Sequence, residues 1–171
     1  MAIGQFGPAL EAAMKRAGNT RGDVGRIVHT ESSMVGKVMK GSRRPSKPVM
    51  QAAVQHYGDV QLVLAAAAEV TGGASVPWLD CADLHTSSTH IKTIEEIREA
   101  EQALQKVPVT KRLDQLTPGD LKAIKDALME QIEAITALTH NVAVTCRKYD
   151  FSYIELWKEH RQELKIKKYM N

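Results

Sequence analysis

Thr117-Pro118-Gly119-Asp120 is a strong helix start, with a Thr cap, Pro at the first helical position and an acid at the third. The helix it opens can run to about Tyr149, roughly 32 residues or 48 Å at ~1.5 Å per residue. Leu121, Ile124, Leu128, Ile135, Leu138 and Val142 fall on alternating steps of three and four, with Gln131 and Thr145 as polar interruptions. Met129, Ile132 and Ala134 widen the stripe. A stripe this wide suits a helical bundle or a dimer interface better than an isolated helix. The six residues Leu121, Ile124, Leu128, Ile135, Leu138 and Val142 are therefore the candidate dimerisation surface. An intramolecular core made with helices 94–106 and 152–168 is the other use of the same stripe, and the sequence leaves both open. Low aromatic content, 5%, and abundant Ala, Leu, Met, Lys, Glu and Gln also favour helix over sheet. The expected class is all-α, and 171 residues suit one or two small domains.

The first 70 residues read as five shorter helices. Gln5–Ala17 carries Phe6, Leu10, Ala13, Met14 and Ala17 at helical spacing, with Gly18 as the stop. Thr20 and Asp23 resemble a capping box opening a helix over about Arg21–Val28, with Val24, Ile27 and Val28 inward. His29-Thr30-Glu31 is a turn. The next helix, Ser32 to Lys40, packs Met34 or Val35 and Val38 or Met39 inward and leaves Ser32, Ser33, Gly36, Lys37 and Lys40 outward. Gly41 ends it, and a basic loop with Pro45 and Pro48 leads to helices over about Lys47–Tyr57 and Val60–Val70. Thr71–Lys92 has loop chemistry, with Gly72-Gly73, Pro77 and the run Thr86-Ser-Ser-Thr89. Thr93 with Glu96 is a capping box for a helix to about Lys106, and Ser152 with Glu155 caps a last helix. The expected division is a five-helix domain over 1–70, a linker over 71–92 and a helical dimerisation region over 93–171.

Net charge is only +3, but it is unevenly spread. From Lys15 to Lys47 nine basic and two acidic side chains give +7, whereas residues 77–171 sum to −1. A patch of this kind draws polyanions and makes their binding salt-dependent. It coincides with the short helix, tight turn and second short helix, an arrangement that can place a helix in the DNA major groove.

The segment 5–70 resembles the Xre/lambda-repressor-like helix-turn-helix family of phage repressors and bacterial regulators. The resemblance rests on Gly18, Asp23-Val24, Ser33-Met34-Val35, Val38 and the stop Lys40-Gly41-Ser-Arg-Arg-Pro45-Ser46. It implies that Ser32, Ser33 and Lys37 read base edges, Lys favouring guanine. It also implies that Arg21, at the start of the second helix, and Arg43 and Arg44, in the loop, grip phosphate, with Lys40 and Lys47 as further phosphate contacts. Two positions depart from the family: His29 replaces the usual Gly of the turn, where the backbone sits at positive φ, and Gly25 replaces the usual Ala.

Other chemistry is thinly represented. No apolar run approaches the roughly 18 residues needed to span a bilayer, and no signal-peptide pattern is visible at the N-terminus. Cys81 and Cys146 are expected as free thiols in a reducing cytoplasm. Cys81, His85 and His90 match no common zinc spacing. His56, His140 and His160 read as packed or interfacial histidines. No catalytic residue, metal site or cofactor is expected. The expected function is that of a sequence-specific transcriptional regulator binding double-stranded DNA as a homodimer. The alternative is an interaction protein, antirepressor-like or antitoxin-like, docking a partner through its C-terminal helices with Phe151, Tyr153 and Trp157.

Overall fold

The computed structural model describes residues 5–171, so the first four residues of the expected 1–70 domain lie outside the described residues. Among the described residues the chain is all-α. Its helices are α1 Phe6–Arg16, α2 Arg21–Ile27, α3 Ser32–Met39, α4 Lys47–Tyr57, α5 Val60–Thr71, α6 Thr86–Leu104, α7 Pro118–Tyr149 and α8 Tyr153–Ile166, with a 3-10 turn at Leu113–Gln115. None of these helices is long and apolar enough to cross a membrane. Two compact units result. One comprises the residues up to Leu79 with Asp150–Asn171, the other Asp80–Tyr149.

Local signals set the ends of the short helices. Gly18 takes φ 66 after α1, and Asn19 N–H returns to the Met14 carbonyl at 3.0 Å, satisfying a carbonyl that the helix end leaves open. Thr20 and Asp23 exchange bonds in a reciprocal capping box: Thr20 N–H donates to Asp23 Oδ2 at 2.7 Å and Asp23 N–H to Thr20 Oγ1 at 3.3 Å. These bonds from Thr20 hold the Asp23 carboxyl below its ordinary value. Asp59 caps α5 through Leu62 N–H and pairs with Arg16 at the end of α1 (2.8 Å).

The core of the first unit takes residues from all five short helices, including Phe6, Leu10, Val24, Val35, Ala53 and Leu62. In α3 the inward residues are Val35, Val38 and Met39, with Met34 half-buried. Ala17 is exposed, because α1 is already turning at that residue. α1 and α3 cross with almost no space between them: a Cβ on Gly7 would lie 2.9 Å from the Met39 carbonyl oxygen. Only glycine fits under that backbone.

In the second unit α6 and α7 form an antiparallel hairpin. Thr93 Oγ1, shared between the Thr89 carbonyl (2.7 Å) and the Ala137 carbonyl (3.1 Å), ties the helices near one end. Glu99, Ala103 and Lys106 line a shared hollow with Ala123, Asp126 and Glu130 near the other. The buried side chains along the seam are small or polar: Thr89, Thr93, Glu96 and Ala100 on α6, Ala127 and Ala134 on α7. α6 starts at Thr86 rather than Thr93, so Thr86–Lys92 form its first two turns. His85 is the N-cap, accepting from Ser87 N–H, and Asp83 accepts from His85 N–H and the Ser88 hydroxyl. Thr93 and Glu96, which spell a capping box, sit mid-helix instead.

α7 opens where its sequence indicates. Thr117 N–H and Oγ1 donate to Asp120 Oδ2, Asp120 N–H returns to Thr117 Oγ1 at 3.2 Å, and Lys111 Nζ reaches both carboxylate oxygens at 2.8 and 2.9 Å. The Lys111 ammonium, then the Thr117 donors, hold the Asp120 carboxyl down at about 2. Because this lies below the unfolded value, the contribution is complete above roughly pH 4 and is lost as pH falls towards 2. Asp120→Asn is therefore expected to melt below wild type at neutral pH, with the gap narrowing on acidification. Thermal scans from neutral pH downward check this, and a gap independent of pH contradicts it.

Candidate nucleic-acid interface

α3 is held by its apolar side and presents its polar side. Burial of Val35, Val38 and Met39 leaves Ser32, Ser33, Lys37 and Lys40 exposed. Ser33, Lys37 and Lys40 are four and three residues apart, which aligns them in one stripe along the helix. Ser32 lies beside them at the helix start. Gly36 is half-buried.

The loop after α3 is anchored to the helix that precedes it. The Lys37 carbonyl accepts from Ser42 N–H (3.0 Å), Ser42 Oγ (3.1 Å) and Arg43 N–H (3.3 Å), with Gly41 at φ 70 making the reversal. Arg43 and Arg44 thus leave a fixed backbone, and both are exposed. Arg43 lines a hollow of about 150 Å³ with Met34, Val38, Pro45 and Ser46, which sets it alongside α3. Lys47 begins α4 and Arg21 begins α2, both exposed.

Ion pairing sorts the basic residues. Lys15 pairs with Glu11, Arg16 with Asp59 and Arg26 with Asp23, so their charges are partly neutralised within the fold. Among the described residues Arg21, Lys37, Lys40, Arg43 and Lys47 form no ion pair. One local contact was not foreseen: Glu31, the N-cap residue of α3, accepts from Ser33 Oγ at 3.2 Å. Its position next to two serines at a helix start was the available signal.

The turn between α2 and α3 accounts for the residues at positions 29 and 25. His29 takes φ 53, the left-handed backbone expected of that position. Thr30 N–H donates back to the Gly25 carbonyl at 2.8 Å, drawing the chain over α2. A Cβ on Gly25 would sit 2.6 Å from the Thr30 oxygen and 3.3 Å from Ser32 N. Alanine does not fit there, so glycine at 25 is dictated by the closeness of this turn.

The six candidate dimerisation residues all lie on α7. Leu121, Leu128, Ile135, Leu138 and Val142 are exposed and Ile124 is half-buried. Cys81 is exposed, Cys146 is buried, and neither is in a disulfide. His140 is buried, with Nδ1 donating to the Thr136 carbonyl at 2.8 Å, whereas His56 and His160 are exposed beside Tyr57 and Trp157.

One carboxylate cluster stands apart from these sites. Oxygens of Glu96, Glu130 and Glu133 lie within 4.8 Å of one another across the hairpin. Lys92 neutralises Glu96 through Oε1 at 2.6 Å. Desolvation, then Glu133 and other nearby acids, raises the Glu130 carboxyl, as expected where like charges are crowded.

No protein-family model, curated protein or solved structure matches this chain.

Proposed function

We propose that this chain is a sequence-specific regulator that binds double-stranded DNA, with α3 in the major groove. The observation that carries the reading is the stripe Ser33, Lys37 and Lys40, exposed on a helix whose other side is locked into the core, beside Arg43 and Lys47. In this reading Ser32, Ser33 and Lys37 meet base edges, while Arg21, Lys40, Arg43, Arg44 and Lys47 meet phosphates. The layout of α1–α5 is then that of an Xre/lambda-repressor-like domain acting in the cytoplasm as a repressor, without enzymatic activity or cofactor. One such unit makes few base contacts, so two copies are expected on half-sites about one helical turn apart. Leu121, Ile124, Leu128, Ile135, Leu138 and Val142 are read as the homodimer surface.

Footprinting on the region upstream of the protein's own gene tests the assignment, because regulators of this kind often control themselves. Lys37→Ala is expected to relax sequence preference, with roughly 1–3 kcal/mol of discrimination lost at one base pair. Lys47→Ala is expected to weaken all duplexes alike and leave the preference intact. If both variants behave identically, the division between base and phosphate contacts is wrong.

A second reading is supported by the exposure of Phe151 and Trp157 near the C-terminus, whereas Tyr153, grouped with them from the sequence, is buried and offers no docking surface. Such a surface suits protein docking, as in an antirepressor or antitoxin. It predicts that Phe151→Ala/Trp157→Ala loses a co-purifying partner protein while duplex DNA binding is absent or insensitive to salt.

A further inference from the structure

We infer that one whole face of the α6–α7 hairpin, built from both helices, docks onto the same face of a second copy of this chain to form an intermolecular four-helix bundle. This deepens the homodimer reading above and specifies a bundle of two hairpins in place of a coiled coil of α7 alone.

The geometry follows from the register of the seam. On α6 the residues packed into the hairpin include Thr93, Glu96 and Ala100, and each is followed by one of Ile94, Ile97 and Glu101. On α7 Ala127, Ala134 and Ala137 are followed by Leu128, Ile135 and Leu138. One residue along a helix turns it by about 100°. Because α6 and α7 run antiparallel, the same rotation carries both stripes to the same side of the hairpin. The residues one step before the seam, Lys92, Glu95 and Glu99 on α6 and Asp126, Glu133 and Thr136 on α7, put a largely polar surface on the other side.

The apolar face is large and unused within one copy. Ile94, Ile97 and Leu104 of α6 and Leu121, Leu128, Ile132, Ile135, Leu138 and Val142 of α7 are each between 38 and 55% exposed. Together they offer on the order of 700 Å² of apolar surface, above the largest patch of most monomers and close to the ~800 Å² that each partner gives a standard interface. The hairpin, by contrast, buries only small apolar side chains: Ala100, Ala127, Ala134, Ala143, Val144 and Cys146 among the described residues of this unit. Two helices joined through alanine and threonine lack a core of their own, and association supplies one.

Two details favour a second copy over a different protein. Arg98 and Lys125 lie at the margin of the face and Glu101 within its α6 stripe, so a two-fold axis can set opposite charges together. Gln131, the polar interruption in the α7 stripe, gives one amide N–H to the Ala127 carbonyl at 2.9 Å and keeps Oε1 and its second N–H for the matching amide of a second copy across a two-fold axis.

Size-exclusion chromatography with light scattering on the full chain at micromolar concentration tests the inference. Wild type is expected at twice 18.9 kDa. Leu128→Glu/Ile135→Glu and, separately, Ile94→Glu/Ile97→Glu are each expected to raise the dimer dissociation constant at least ~100-fold. Lys122→Glu, outside the apolar face, is expected to leave it unchanged. A monomeric wild type, or a complex with a different protein in place of the dimer, overturns the inference whatever the variants do. A dimer indifferent to the α6 pair overturns the four-helix arrangement. A dimer through this face that ignores duplex DNA upholds the bundle and defeats the DNA reading, and a DNA-binding monomer does the reverse.

Discussion

Gly25→Ala is expected to destabilise the first unit by roughly 1–3 kcal/mol, lowering its melting temperature by several degrees. Alanine is normally the better helix former by up to ~1 kcal/mol, so propensity alone predicts the opposite sign. The reversal comes from the turn: the added methyl would sit 2.6 Å from the Thr30 oxygen, a backbone atom fixed by its own residue's bond to Gly25. Either α2 or the start of α3 must shift, and Ser32 and Ser33 shift with it. His29→Gly, four residues on, is expected to act the other way, with a gain of about 1 kcal/mol, because φ 53 is strained for a residue with a Cβ. Thermal denaturation of the two variants checks both signs. A stabilised Gly25→Ala protein would mean that the helices are less closely packed than described.

Arg43→Ala/Arg44→Ala is expected to weaken duplex DNA binding by roughly 30–100-fold at about 0.1 M salt, from two lost phosphate contacts. The fold should be retained, because the backbone of the loop is held by Ser42 and the Lys37 carbonyl. Anisotropy titration of a labelled duplex gives the loss, and circular dichroism gives the fold. If the double variant binds as tightly as wild type, the loop does not face DNA.

The sequence was most legible where structure is set locally. Thr20 with Asp23, Thr117 with Asp120, and Gly18 and Gly41 at positive φ mark helix ends through bonds only a few residues long. α6 was less legible. Its first turns carry Thr86, Ser87, Ser88 and Thr89, poor helix formers that read as loop, and the pair Thr93 and Glu96 imitates a cap. Their helical state depends on His85 and Asp83 as caps and on Thr89 and Thr93 being buried at the hairpin seam, which no local signal reports. The α7 stripe shows a related limit. Periodicity finds the large apolar residues, but α7 carries a second row, with Ala127 and Ala134, one position away. Only packing reveals that the alanine row faces α6 and that Leu128 and Ile135 do not. At the candidate interface, exposure of the basic residues was legible from helix spacing. The Glu31–Ser33 bond and the pairs Lys15–Glu11 and Arg26–Asp23 are local but depend on which rotamers are taken, and Arg16–Asp59 joins residues distant in sequence, so none of them was legible.

The salt dependence of duplex DNA binding tests the central claim most directly. The logarithm of the association constant is expected to fall linearly with the logarithm of salt concentration, with a slope of about −4 to −5 per bound copy from Arg21, Lys40, Arg43, Arg44 and Lys47. In the Arg43→Ala/Arg44→Ala protein the slope should become shallower by about 2. Binding that is absent at low salt, or whose slope is near zero, would contradict the assignment of this face to DNA.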